Sequence, residues 1–99
     1  MIIEVSIQKI NPGKWEALDE IDKRYEVVES RHGFPSKTRL NSISGTHDSN
    51  TLLIVREWDN MATMEAAYMS AFEDPELQAL NAEGASIVAS SRLEFYMKR

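Results

Sequence analysis

Four side chains in this chain of 99 residues could hold a small molecule: Arg56, Trp58, Tyr68 and Arg92. Trp58 offers a flat apolar wall on which a ring can stack. An arginine offers a fixed fork of donors for a carboxylate or an enolate. Tyr68 adds a hydroxyl, provided that it points toward the sheet. Arg92 and Glu94 are two apart and share a strand face, and Arg56 is read onto the same face of another strand. Glu4 and Arg39 join that polar pool. The plain alternative is a set of cross-strand ion pairs under a partner subunit.

Other constellations carry less chemistry. His32 ends a helical stripe, where it favours the helix dipole and needs no catalytic role. His47 stands beside Asp48 in a turn, and two adjacent ligands make a weak metal signal. Met61 and Met64 read as core, with Met69 off the stripe. With no cysteine there is no disulfide, thiolate site or thiol nucleophile. Two histidines without cysteine argue against structural zinc. The expectation is no metal and no cofactor.

Sixteen acids against 11 bases give a net charge of −5, which argues against a nucleic-acid partner. An RNA-binding sheet would stack bases on aromatics of its central strands, and those strands offer only Trp58. The acids between Glu57 and Glu83 read as a solvated face that disfavours an anionic membrane. No apolar run approaches the roughly 18 residues of a membrane span. No basic segment followed by a long apolar stretch opens the chain, so no signal peptide is expected and the default is cytoplasmic.

The elements that must position these groups follow from periodicity. Over residues 1–10, Ile3, Val5 and Ile7 alternate with Glu4, Ser6 and Gln8, which predicts a half-buried strand. Asn11 as cap and Pro12 at the first position predict a helix whose stripe is Trp15, Leu18, Ile21, Tyr25 and Val28, ended by Gly33. Residues 36–44 read as a weaker strand, and 45–50 as a hairpin loop. Leu52 to Val55 are four consecutive apolar residues, which suggests a central strand covered on both faces. Asp59 or Asn60 caps a second helix with stripe Met61, Met64, Ala67, Tyr68, Ala71 and Phe72. Asp74-Pro75 marks a kink or fresh start, Gly84 a stop, and residues 87–97 the last strand.

The order β-α-β-β-α-β is the ferredoxin-like split pattern, one α+β domain over residues 1–99. It gives an antiparallel four-stranded sheet with both helices on one face. With Leu53 and Val55 toward the helices, the other face carries Glu4, Arg56, Trp58, Arg92, Glu94 and Tyr96, with Leu52 and Ile54. Such a face is too apolar to be wet and too charged to be dry, and packing against a second copy would satisfy both.

Three stretches carry a resemblance. They are Ile10-Asn11-Pro12-Gly13-Lys14, Arg56-Glu57-Trp58-Asp59-Asn60-Met61, and the acidic-proline step within Phe72-Glu73-Asp74-Pro75-Glu76-Leu77-Gln78-Ala79-Leu80. Together they resemble the dimeric α+β barrel superfamily, most closely its NIPSNAP-type and antibiotic-biosynthesis-monooxygenase-type members. That resemblance implies two sheets face to face across a dimer axis, with a small cavity between each sheet and its helices or its partner. It also implies a range of roles, cofactor-independent and haem-degrading oxygenases among them. Haem-degrading members place a histidine on the second helix, and residues 60–84 contain none. Quinone-forming members use an Asn and a Trp around that helix; Asn60 and Trp58 are present in a different relative order. The resulting expectation is a homodimer that binds or transforms a small hydrophobic carbonyl or phenolic compound, monooxygenase-like. The alternative is a non-catalytic ligand-binding or regulatory dimer module. If a ligand site exists, it lies where the polar sheet face meets the second helix, lined by Trp58, Tyr68, Arg56 and Arg92.

Overall fold

In the computed structural model, which describes residues 1–99, the chain runs β1 (Ile2–Ile10), α1 (Trp15–Arg31), β2 (Thr38–Asn41), β3 (Thr51–Trp58), α2 (Met61–Phe72), α3 (Pro75–Gly84) and β4 (Val88–Met97). The strands form one antiparallel sheet in the order β2-β3-β1-β4. This is the ferredoxin-like α+β arrangement. The second helical segment is two helices, because the Asp74 side chain accepts from the Glu76 N–H and Pro75 takes the first position of α3. Asn60, rather than Asp59, caps α2 by accepting from the Thr63 N–H at 2.8 Å. No helix is long and apolar enough to cross a membrane.

Two local expectations need correction. Asn11 does not cap α1; its amide donates to the Ser86 carbonyl, and Gly13 at φ +78° carries the chain through a turn. The helix therefore starts at Trp15, with Lys14 as an N-cap lacking a side-chain bond. At the other end Gly33 stands at φ +80°. The Phe34 N–H donates to the Glu29 carbonyl and the Gly33 N–H to that of Ser30, so two terminal carbonyls are satisfied. The second correction is at the helix surface: Met61 and Phe72, read as part of the buried stripe, are exposed.

The larger correction concerns which side of the sheet meets the helices. Pairing puts Glu4 opposite Arg56, and Ser6 opposite Ile54. These four residues are buried, as are Leu52 and Trp58 on the same face. Ile3, Val5, Ile7, Leu53 and Val55 point the other way and are only half-buried. Alternation defines two faces but does not say which is inside. Here the more polar face of β1 turns inward, because the inner layer supplies its charged group with partners. On β4, Glu94 lies opposite Val5 and Arg92 opposite Ile7, so both belong to the outer face.

The inner layer holds two apolar clusters. The larger joins α1, α3 and the sheet through Leu18, Ile21, Val28, Leu52, Ile54, Leu77 and Leu80, among others. The smaller contains Ile2, Trp58, Met64 and Ala67, with Phe34 and Tyr68 packed against it. Each fully buried leucine or isoleucine contributes about 1.5–3 kcal/mol.

Candidate ligand-binding cavity

Beside these clusters, between the sheet and the helices, lies an open cavity of about 440 Å³. Its size is within the roughly 300–1,000 Å³ of small-molecule sites. Leu18 and Ile21 of α1, Ile54 of β3, Leu77 of α3 and Ile87 form much of its apolar wall. Phe72 and Leu93 also line it and are exposed, so the cavity opens between the end of α2 and β4.

Its polar end is built on Glu4, whose exposure is 0%. The Tyr68 hydroxyl donates to Glu4 Oε1 at 2.7 Å, and the Trp58 Nε1–H donates to the same oxygen at 3.2 Å. Arg56 Nη1 donates to the other oxygen, Oε2, at 3.5 Å. A buried carboxylate is tolerated only when paired and hydrogen-bonded, and this one is. Arg56 reaches further: its Nη2 lies 2.7 Å from Glu29 Oε1 on α1. Glu29 also accepts from Lys37 Nζ at 3.2 Å, and Lys37 donates to Asp22 at 2.7 Å. Arg39 closes the chain of charges on Asp22 and Asp19. One atom is left over: Arg56 Nε is buried with no acceptor.

Aromatic rings hold the polar end in shape. Phe34 meets Trp58 and Tyr68 edge to face at 5.2 and 4.9 Å between centroids. The Arg56 guanidinium lies 5.2 Å from the centre of the Phe34 ring, which adds a cation–π contact. Burial, and next the bond to the Glu4 carboxylate, raise the Tyr68 phenol well above its ordinary value. At neutral pH Tyr68 is therefore a fixed hydroxyl whose proton is committed to Glu4, and not a base.

Of the four residues read from the sequence as a site, Arg56 and Tyr68 line the cavity. Trp58 does not line it; the side chain is buried behind Glu4 and Tyr68, so it supports the polar end and offers no stacking wall. Arg92 is not in this group at all. It stands on the outer sheet face, its side chain 74% exposed, paired with Glu94 at 3.1 Å. Glu29, Lys37 and Asp22 were missed as site residues. The available signal was the seven-residue spacing of Asp22 and Glu29, which puts both on one side of α1. Asn60 is occupied as the α2 cap and also lies outside the cavity lining.

His32 has a structural position. Its ring nitrogens lie 2.7 Å from Ser70 Oγ and 2.8 Å from Asp74 Oδ2, tying the end of α1 to the α2–α3 step. That bond, the Glu76 N–H and the Arg31 charge hold the Asp74 carboxyl below its ordinary value. His47 lies in the loop before β3.

No family model and no curated protein matches the sequence. Solved structures do. A NIPSNAP-domain protein from Burkholderia xenovorans superposes with a TM-score of 0.85 at 17% identity, covering 100% of this chain and 95% of that one. A NIPSNAP family protein from Agrobacterium tumefaciens gives 0.81 at 16% identity over 99% and 92%. SnoaB, a cofactor-independent oxygenase from Streptomyces nogalater, gives 0.71 at 14% identity over 99% and 92%. What the chain shares with these proteins at such identities is the fold, a ferredoxin-like α+β arrangement of one four-stranded sheet with its helices on one face.

Proposed function

We propose that this chain binds a small, largely apolar molecule bearing a carbonyl or phenolic oxygen, and does so as a homodimer. The observation that carries the reading is the cavity itself. It has apolar walls and, at one end, a buried polar group assembled from β1, β3, α1 and α2. Few convergent polar groups in an apolar cleft is the usual composition of a ligand site. The dimer rests on the outer sheet face, where Ile3, Val5, Ile7, Leu53 and Val55 lie with no helix over them. An apolar patch of that kind marks a protein contact. A second copy with the same sheet would present a self-complementary surface.

An oxygenase reading rests on the fold likeness to SnoaB. Trp58 and Asn60, the residue types that the resemblance brings forward, both lie outside the cavity lining. Binding is therefore the reading favoured, and oxygen uptake in the presence of a bound phenol is the observation that would extend it to catalysis.

The test is a thermal-shift series with naphthols and acetylnaphthalenes on the wild type and on Ser91→Trp, which places a ring at the cavity wall on β4. At least one compound should raise the melting temperature of the wild type, because a ligand that binds only the folded state stabilises it. Ser91→Trp should lose that rise. No rise with any compound, or the same rise in both proteins, would reject the cavity as the site.

A further inference from the structure

Resting on that reading, we infer that the cavity is a slot for an unbranched aliphatic chain, so that the carbonyl compound it takes is a long-chain one lying lengthwise along β1. The lining residues measure the slot. On β1 they run from Glu4 through Ser6 to Gln8, and at about 3.4 Å of rise per residue that wall is about 13 Å long. On α1 they run from Leu18 to Glu29, and at about 1.5 Å per residue that wall is about 16 Å long. The two ends are fixed by different parts of the fold. Glu29 meets Arg56, which is opposite Glu4. Ile87 accepts from the Asn11 N–H and Val88 pairs with Ile10, so both belong to the Gln8 end. A compact ring system fills one end of such a slot and leaves the other empty. An extended carbon chain advances about 1.25 Å per bond, given a C–C length of about 1.5 Å, so about eleven or twelve carbons span it.

The walls suit a chain better than a long flat ring system. Phe34 and Tyr68, on which rings could stack, stand at the Glu4 end. Toward Gln8 the lining is Leu18, Ile21, Ile87 and Val88, with Tyr25 as the one ring there and its hydroxyl bonded to Asn81 at 2.7 Å. Gly84 supplies a separate observation at that end. It closes α3 without a positive φ, so the backbone does not require glycine, which is a poor helix former. A Cβ added there would stand 3.5 Å from the Tyr25 hydroxyl and 3.7 Å from Ile21 Cδ1, both of them lining residues. Any longer side chain would enter the space between α3 and α1. Glycine at this position therefore keeps the far end of the slot open, which a ligand confined to the Glu4 end would not need.

The experiment measures dissociation constants for 2-hexanone, 2-octanone, 2-decanone, 2-dodecanone and 2-tetradecanone, with 2-acetylnaphthalene as the compact reference. Each methylene that enters the slot should tighten binding roughly two- to fourfold, the transfer gain less the cost of ordering the chain. The dodecanone should therefore bind more than tenfold more tightly than the hexanone, and the tetradecanone within twofold of the dodecanone. In Gly84→Leu the preference for dodecanone over hexanone should fall at least threefold. If that variant does not fold, methyl spectra of the wild type decide: the dodecanone should shift Val28 at one end of the slot and Ile87 at the other. A preference of less than tenfold in the wild type would overturn the inference. So would a tetradecanone that gains as much as the shorter steps, a folded Gly84→Leu that keeps the preference, or a dodecanone that moves only one of the two methyl groups. In each of these cases binding of 2-acetylnaphthalene leaves the cavity reading standing. Failure of every compound to bind would remove both.

Discussion

Tyr68 of α2 and Glu4 of β1 are 64 positions apart in the chain and joined by a 2.7 Å hydrogen bond from phenol to carboxylate. That bond fixes α2 over the inner face of the sheet and sets the polar end of the cavity. Tyr68→Phe keeps the ring against Phe34 and deletes the donor. A hydrogen bond to a charged group is worth about 1.5–3 kcal/mol, and that loss is expected in urea unfolding. A change below about 0.5 kcal/mol, the usual size of an inert surface substitution, would mean that the bond does not organise the site.

Acid should weaken the fold partly through Asp74. The bond from His32, then the Glu76 N–H and Arg31, hold its folded carboxyl below the ordinary value. Between the folded and unfolded values the unfolded chain binds more protons, so this contribution is whole above about pH 4 and fades as pH falls through the folded value. Asp74→Asn keeps an oxygen for the α3 cap and removes the titrating group. Melting temperatures measured from pH 5 down to pH 2 should fall less steeply in Asp74→Asn. Some slope should remain, because Lys9 and Arg24 lower Asp48 and Glu83 in the same way. Parallel curves would show that Asp74 does not contribute.

The outer sheet face should be an interface between two copies. Val55 lies opposite Val5 on that face. A stable interface buries on the order of 1,000 Å² or more, and a lysine in its middle would be left without water or partner. Light scattering at micromolar concentration should give the mass of two chains for the wild type and of one folded chain for Val55→Lys. A monomeric wild type would remove the dimer, and a dimeric Val55→Lys would move the contact to another surface.

Much of the fold was legible because local chemistry agreed with it. The Asp74-Pro75 restart and the Gly33 stop each have one good backbone solution, and the structure uses it; of the two cap candidates before α2, Asp59 and Asn60, it uses Asn60. Asn11 misled because Pro12-Gly13 satisfies two patterns, a helix start and a turn, and Gly13 at positive φ chose the turn.

The site was half legible for a different reason. Arg56 and Tyr68 were recognisable as residue types, but their convergence depends on which strand face turns inward. Ile3, Val5 and Ile7 are the more apolar set on β1, and hydrophobicity alone sends them to the helices. Glu4 goes inside because Arg56, Trp58 and Tyr68 all reach it, a non-local fact that no window of the sequence contains. Arg92 was lost by the same route: the β1–β4 register sets it opposite Ile7, so it follows that residue outward. Lys37 was hidden because a lysine between Asp22 and Glu29 reads as an ordinary solvated charge until α1 places both acids around it.

The claim on which the rest depends is that the space between the helices and the sheet is where a ligand sits. Its most direct measurement is a methyl proton–carbon spectrum of the wild type, titrated with 2-acetylnaphthalene. Ile21, Ile54, Leu77 and Ile87 line the cavity, whereas Ile3, Ile7 and Leu53 belong to the outer face. Saturable shifts at the first set, with the second unmoved, are the expected result. Shifts confined to the outer face, or none at any methyl, would contradict it.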